Sequence, residues 1–201
     1  RQIKMYKGYR LTASTGIHKG DREYQQDQVA LLNHGRVNGC VLAIVADGMG
    51  GHASGEVASK MAIETLHEFF AATADDPERT WPYKMDRSKG YEENRLITGI
   101  KLCNLRIFEA AQKNAKQRGM GTTVISLFAV EDGYYVAHVG DSRVYRLRDD
   151  RLECLTEDHS MARESGFGDG QPAPAFLQGI ITRAAGIKDT VELERTESEV
   201  L

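Results

Sequence analysis

The chain has little cysteine, proline or tryptophan, with three, four and one of these residues among 201. The cysteines, Cys40, Cys103 and Cys154, are odd in number and far apart, which argues against a disulfide framework and favours a reducing compartment. A cytoplasmic location is therefore expected. Hydrophobic residues make up 41% of the chain, enough for one sizeable core, and nothing suggests a collagen-like, coiled-coil or disordered protein.

The chain also lacks a large excess of charge of either sign, because its formal net charge is −3. Lysine and arginine are scattered along it rather than clustered. This balance implies no nucleic-acid or membrane partner. No apolar run approaches the roughly 18 residues that span a bilayer, and no signal-peptide pattern opens the chain. A single domain over residues 1–201 is expected, and the start at Arg1 suggests a domain excised from a longer protein.

Residues 41–52 form the most informative segment. The six consecutive apolar residues 41–46 predict a strand that is covered on both faces, because a half-exposed strand would alternate. Asp47 is then expected at the end of the strand, desolvated on one side and best partnered by a divalent cation. Gly48 allows the backbone to approach a ligand, and His52 follows within reach of whatever Asp47 holds. The alternative, a turn with a capping aspartate and a surface histidine, is disfavoured because several local signals agree.

The remaining patterns predict strands in runs and two neighbouring helices. The first helix opens with Ser54 as N-cap, and the second is ended by Gly119 and Gly121. Strands are predicted at residues 9–13, 28–32, 41–46, 123–130, 134–139 and 143–147. Because the helices do not alternate with the strands, the sequence predicts an α+β fold, with an antiparallel sheet or sandwich and a helical layer outside.

Four aspartates stand in loops at the ends of predicted strands: Asp27, Asp47, Asp141 and Asp158. A site made only of carboxylate oxygens selects a hard cation such as Mg²⁺ or Mn²⁺, whereas zinc would require cysteine or closely spaced histidine ligands that this pattern lacks. Taken singly, Asp27 and Asp158 fit ordinary turns equally well, since aspartate is common there.

The four aspartates lie within a set of five short motifs. They are Arg22-x-x-Gln25-Gln26-Asp27, Asp47-Gly48-Met49-Gly50-Gly51-His52, Gly119-Met120-Gly121-Thr122-Thr123, Val139-Gly140-Asp141-Ser142-Arg143 and Leu155-Thr156-x-Asp158-His159-Ser160. In this order they resemble the bacterial branch of the metal-dependent PPM (type 2C) protein serine/threonine phosphatases. The resemblance runs from about residue 12 to residue 201.

The resemblance implies a four-layer α/β/β/α fold, in which two packed antiparallel sheets are flanked by helices and a metal cluster lies at one end. It implies hydrolysis of phosphoserine and phosphothreonine in proteins by a metal-activated water, with two or three Mg²⁺ or Mn²⁺ ions. The substrates would be phosphoproteins, including those of serine/threonine kinases.

The same resemblance implies roles for individual residues. Asp47 would bridge two cations, Gly48 would contribute its backbone carbonyl, and Asp27 would hold one cation through water. Arg22 would clamp the phosphate oxygens with its planar fork, and His52 would protonate the leaving alkoxide.

Other positions carry lesser expectations. Asp141 matches the position that helps bind a third, weaker metal. Arg143, on the same turn, is expected to form a structural salt bridge, and His138 and His159 are expected to be hydrogen-bonded structural histidines. Residues 160–179 match the region of a mobile flap near the substrate.

The sequence departs from the family at two places. Gln26 stands where many members carry a glutamate, so it brings no charge. The chain also stops at Leu201, before a second strand-ending Asp-Gly and a final acidic motif, so we expect it to lack a C-terminal metal-binding segment. Weak or absent activity is expected of the 201-residue chain alone, and activity of a longer parent. Residues 74–90 are expected to be a polar loop or insertion.

Two further hypotheses belong to other functional classes. A catalytically impaired module of the same fold, which binds phosphopeptides or regulates a partner, is favoured by Gln26 and by the missing C-terminal acids. A nucleotide-binding protein that uses residues 48–51 as a phosphate loop is weak, because no Gly-Lys-Ser/Thr follows and Asp47 would repel phosphate without a cation.

Overall fold

The structure, a computed structural model, describes residues 2–6, 9–33, 40–51, 53–74, 80–130, 133–168 and 171–199. The predicted catalytic residue His52 lies outside the described residues. So do residues 34–39 of a predicted turn, 75–79 of the predicted polar loop and 169–170 of the predicted flap-like segment.

The described elements follow one another as a run of strands, two long helices and a second run of strands. The strands are β1 (Gln2–Tyr6), β2 (Tyr9–Thr12), β3 (Asp27–Asn33), β4 (Val41–Met49), β5 (Gly121–Thr122), β6 (Val124–Val130), β7 (Gly133–Val139), β8 (Tyr145–Arg148), β9 (Arg151–Cys154) and β10 (Glu194–Glu199). The helices are α1 (Ser54–Ala74), α2 (Tyr91–Lys113) and the short α3 (Met161–Glu164), with 3₁₀ turns at Ala115–Gln117 and Ala175–Leu177.

The main sheet is antiparallel and has the strand order β10-β7-β6-β4-β3, with β5 paired to the end of β4. Two hairpins, β1–β2 and β8–β9, form separate two-stranded sheets among the described residues. Helices α1 and α2 pack against each other, and they contact β3, β4, β6 and β7 of the main sheet. Antiparallel sheets with neighbouring helices confirm the predicted α+β class.

The core lies between these helices and the main sheet. The predicted apolar faces of both helices supply its helical side, and the alternate residues of β4 supply part of its sheet side. These buried residues are Leu42, Ile44, Ala46, Ala58, Ala62, Leu66, Phe69, Phe70, Leu96, Ile100, Cys103, Ile107 and Ala111. Among the described residues, no helix is long and apolar enough to cross a membrane.

Strand β4 differs from the prediction in where it ends and in the burial of one of its two faces. The strand continues past Asp47 to Met49, because β5 pairs with Gly48 and Met49 and extends the ladder. Burial on both faces does not hold for Val45, which is 42% exposed, since α1 and α2 cover the other face of the sheet. Asp47 therefore lies inside a paired strand rather than in a loop.

The helix ends also differ from the prediction. Ser54 is the first residue of α1, and its hydroxyl donates to the Gly51 carbonyl at 2.6 Å rather than accepting from the helix. Helix α2 ends at Lys113, well before Gly119, because the side chain of Asn114 accepts from the backbone N–H of Lys116 and starts a 3₁₀ turn. The sequence pattern does not predict β1, β9 or β10. In β10 the residues ERTESE carry no apolar alternation, so its backbone pairing with β7 leaves no sequence signal.

Candidate metal centre

Asp27 and Asp47 face each other as a cross-strand pair at one end of the main sheet. Burial, followed by the charge and side-chain hydrogen bond of Asp27, raises the pKa of Asp47 from 3.8 to about 6. Arg22 opposes this rise, and Asp141 adds a smaller upward effect on the same pKa. The structure therefore places Asp27, Asp141 and Arg22 within electrostatic reach of Asp47, while their roles stay predictions.

Gly48 occupies a position that no larger residue can fill. A Cβ at Gly48 would lie 2.0 Å from the carbonyl oxygen of Gly55 and 2.6 Å from that of Gln26. The Gly48 N–H donates to the Gln26 carbonyl at 3.0 Å, which draws the end of β4 against the segment before β3. Close packing explains the glycine here, whereas the next glycine, Gly50, is required by its φ of 150°.

The backbone of Asp47 is held by Thr122 and Thr123, to which the sequence analysis gives no role beyond membership of a motif. The Asp47 N–H donates to Thr123 Oγ1 at 3.0 Å, and the Thr123 N–H donates to the Asp47 carbonyl at 2.8 Å. The Thr122 hydroxyl donates to the same carbonyl at 3.0 Å. Both threonines are fully buried. The Gly-Thr-Thr motif was the available signal, but residue type alone does not show which strand the hydroxyls serve.

Asp141 lies in the turn after β7, directly after Gly140, whose φ of 109° requires glycine. Burial is the largest influence on Asp141 and raises its pKa, and Asp158 adds to the rise. The backbone hydrogen bond at Asp141 and the charge of Arg143 act against it. A buried carboxyl beside other acids is favoured in its charged form only when a cation is near.

Arg143 and Asp158 form the structural salt bridge that the sequence predicts for Arg143. Arg143 Nε and Nη2 donate to the two carboxylate oxygens of Asp158 at 2.8 and 2.6 Å, a bidentate geometry. Arg143 also donates to the Tyr145 hydroxyl at 3.1 Å. Asp158 is thereby engaged by an arginine, which separates it from the other three aspartates of the sequence analysis.

Arg22 lines an open pocket of about 520 Å³ together with Glu23, Tyr24, Gln26 and Gly50. Its guanidinium lies near enough to Asp47 to lower that carboxyl's pKa. The side-chain amide of Gln26 donates to the Gly50 carbonyl at 3.3 Å. A cationic fork beside the aspartates gives this pocket the polarity that a phosphate group requires.

His138, His159 and Glu194 offer ligand atoms that all lie within 4.8 Å of one another, a geometry that could hold a metal ion. Hydrogen bonds already occupy one nitrogen of each ring. His138 Nε2 bonds the Glu157 carbonyl at 2.8 Å, and His159 Nδ1 accepts from the Gly140 N–H at 3.0 Å. The rings stack with centroids 4.7 Å apart. These contacts match the hydrogen-bonded role that the sequence analysis gives both histidines.

The donors around Asp47 fit a hard divalent cation. Two carboxylates oppose each other across the strands and a third lies near, and their repulsion adds to the effect of burial in raising the pKa of Asp47. A cation with an oxygen preference relieves this repulsion and stabilises the charged carboxylates. Cysteine, which would indicate zinc, is absent from this set, and Cys103 is buried in the core.

Known proteins of one family resemble this chain in sequence and in fold. The sequence model of the family described as protein phosphatase 2C matches residues 17–175. Serine/threonine phosphatase stp of Listeria innocua is 32% identical over 189 residues, which cover 86% of this chain and 69% of that protein. Protein phosphatase PhpP of Streptococcus pneumoniae is 33% identical over 161 residues, covering 77% and 59%. The crystal structure of serine/threonine phosphatase Stp1 from Staphylococcus aureus aligns with a TM-score of 0.74 at 29% identity, covering 93% of this chain and 69% of that one.

Proposed function

This chain belongs to the protein phosphatase 2C family, and on that premise we propose that Asp27, Asp47, Gly48 and Asp141 hold the divalent cations with which it works. Its reaction is the dephosphorylation of serine and threonine residues in proteins, as its named relatives indicate. The observation that carries the assignment is the cross-strand Asp27–Asp47 pair, where burial first and the charge of Asp27 second raise the pKa of Asp47 to about 6.

The cations are proposed to be Mg²⁺ or Mn²⁺, two or three in number, because every side chain in the set offers oxygen. When bound, such cations act as Lewis acids and lower the pKa of water at the site. Asp47, Asp27 and the Gly48 carbonyl are proposed as ligands of the central pair, and Asp141 as a ligand of a further, weaker ion.

The chain's own residues are proposed to bind the phosphate and supply a proton. Arg22 lines the open pocket beside Asp47, where its fork can hold two phosphate oxygens and orient the ester. His52, which follows the glycine segment, is proposed as the general acid that protonates the leaving serine or threonine oxygen. The residue lies outside the described part of the chain, so this role depends on the family resemblance.

The decisive experiment measures hydrolysis of p-nitrophenyl phosphate and of a phosphothreonine peptide with and without Mn²⁺. The proteins compared are the 201-residue chain and the product of the whole gene, the latter also as Asp47→Asn and as the matched control Glu109→Gln. The control also turns a carboxylate into an amide, but Glu109 lies exposed on α2. Mn²⁺ binding is followed in parallel by electron paramagnetic resonance. We expect Asp47→Asn to lose at least about 100-fold in turnover and to bind Mn²⁺ weakly, while Glu109→Gln behaves as native.

Undiminished Mn²⁺ binding and turnover in Asp47→Asn would refute the site. Mn²⁺ binding without turnover in both the 201-residue chain and the product of the whole gene would favour the alternative of a phosphopeptide-binding or regulatory module. The same assay on the product of the whole gene tests the expectation that the 201-residue chain is weakly active or inactive by itself.

We also propose a cellular location, a class of substrates and two loop segments for this protein. None of the three cysteines forms a disulfide in the described part of the chain, which suits a reducing bacterial cytoplasm. Phosphoproteins made by serine/threonine kinases are the proposed substrates. The proposed flap, residues 160–179, contains the four-residue helix α3 and a 3₁₀ turn among its described residues, and residues 80–90 of the proposed insertion contain no helix or strand.

A further inference from the structure

The side-chain hydroxyl of Thr123 takes the place of a backbone carbonyl as the acceptor for the Asp47 N–H in the strand ladder. The register between β4 and β6 places Val45 opposite Ile125, and that between β4 and β5 places Gly48 opposite Thr122. At the intervening Asp47, the strand N–H donates to the Thr123 side-chain hydroxyl instead of the Thr123 carbonyl. The Thr122 hydroxyl oxygen lies 2.8 Å from that carbonyl, within hydrogen-bond distance. A side chain therefore accepts the hydrogen bond from the backbone N–H of Asp47, a proposed metal ligand.

The same hydroxyl reaches the turn that carries Asp141. Thr123 Oγ1 and Ser142 Oγ lie 2.8 Å apart in a hydrogen bond. Gly140 packs on Thr123 so closely that a Cβ on the glycine would lie 2.6 Å from the threonine methyl. One side chain thus touches the backbone of Asp47 and both neighbours of Asp141.

His159 holds the same turn from the other side. Its Nδ1 accepts from the Gly140 N–H at 3.0 Å, and its backbone N–H donates to the Gly140 carbonyl at 3.0 Å. The turn is therefore clamped between Thr123 and His159, and its distance from the end of β4 depends on the Thr123 contact.

We propose that Thr123 is a positioning residue of the metal centre. Its hydroxyl holds the strand end with Asp47 and the turn with Asp141 in one fixed register, so that both carboxylates reach the same cluster of cations. The proposal rests on the proposed function, because it assigns Thr123 a task only if these aspartates bind cations. A threonine that merely starts a core strand would contribute to folding and leave cation affinity unchanged.

The test compares Thr123→Val, which keeps the shape and removes the hydroxyl, with Thr123→Ser, which keeps the hydroxyl and removes the methyl. Mn²⁺ alone is the probe, and its affinity and stoichiometry are measured by calorimetry and electron paramagnetic resonance, well below the metal-free melting temperature of each variant. We expect Thr123→Val to weaken Mn²⁺ binding about tenfold or more, because a buried N–H loses its acceptor, and Thr123→Ser to stay within about threefold of native.

Ser142→Ala isolates the second contact of the hydroxyl. We expect it to weaken the later and weaker Mn²⁺ binding step, and the double variant Thr123→Val/Ser142→Ala to bind no worse than Thr123→Val alone, because both changes break one connection. Should Thr123→Val fail to fold, Ser142→Ala decides, and native affinity in that variant overturns the proposal.

Asp47→Asn, measured alongside, distinguishes failure of the proposed metal site from failure of the positioning role of Thr123. If Asp47→Asn loses Mn²⁺ binding and folded Thr123→Val keeps native affinity, the positioning role is wrong and the proposed metal site stands. If Asp47→Asn keeps native affinity, the metal assignment fails, and the role of Thr123 fails with it. Weakened binding in Thr123→Val with rescue by serine supports the proposal.

Discussion

At the residue scale, the carboxyl of Asp47 is the central group of the proposed metal site. Burial and the opposing Asp27 raise its pKa to about 6, and Arg22 offsets only part of that rise. A carboxyl with this pKa holds its proton at pH 5 and has mostly released it at pH 7. Because a cation binds the charged form, protons and cations compete for the same site.

Mn²⁺ affinity is therefore expected to depend on pH over the range from 5 to 7. Below the pKa of about 6 for Asp47, each unit of falling pH should weaken binding by up to about tenfold, and above it the affinity should level off. Calorimetric titration with Mn²⁺ at half-unit steps from pH 5 to 7.5 measures this. Affinity that stays constant across the series would contradict the raised pKa.

At the element scale, a side chain of α2 supplies hydrogen-bond donors to the C-terminal end of α1. The last turn of α1 contains no basic residue, and its final carbonyls need donors. The fully buried Arg95 of α2 donates to the Phe70 carbonyl at 2.7 Å and to the Thr73 hydroxyl at 2.8 Å. Its charge is balanced by Glu92 at 2.8 Å, and its guanidinium lies over the Phe70 ring at 4.4 Å. One side chain thus ties the two helices that cover the core.

Arg95→Met should lower the free energy of unfolding by about 3 kcal/mol, because it leaves buried acceptors on α1 without donors. The matched control is Arg106→Met, which breaks an exposed pair between α2 and Glu68 of α1 and should change stability by at most about 0.5 kcal/mol. Urea unfolding followed by circular dichroism measures both. Equal stability of the two variants would mean that Arg95 contributes only as an apolar filler.

At the scale of the whole molecule, the sheet gathers acids that are far apart in sequence. Antiparallel pairing sets Asp27 beside Asp47, and the pairing of β6 with β4 and β7 brings the turn with Asp141 to the same end. The repulsion between these acids opposes folding in the metal-free protein. Cation binding at the proposed site would remove that repulsion and so stabilise the whole fold.

Mn²⁺ should accordingly raise the melting temperature. At about 100 times the dissociation constant, linkage predicts roughly 2.7 kcal/mol of stabilisation, or on the order of 5–10 °C for a domain of this size. Differential scanning fluorimetry with and without Mn²⁺ measures the shift. Glu109→Gln should keep it and Asp47→Asn should lose most of it, and a shift that persists in Asp47→Asn would place the cation elsewhere.

Much of the secondary structure was predictable because its signals are local. The apolar spacing of α1 and α2 predicted the buried faces, and the apolar run at residues 41–46 predicted β4. The prediction was wrong about the far face of β4, where Val45 is exposed, and about its end beyond Asp47. These errors share a cause, because neighbouring elements decide which face is covered and how far a ladder extends.

The sequence by itself determined which acids and glycines are available for chemistry, since strand-ending aspartates and glycine clusters are local in the chain. Only the tertiary structure decided what supports them: Thr123 holds the backbone of Asp47 across 76 positions, and His159 holds Gly140 across 19. Such contacts follow from strand register and from the packing of a turn against a distant strand. No local sequence pattern indicates which distant group a hydroxyl or an imidazole will bond. The contacts of Thr123 and His159 can therefore be identified only once the strands are paired.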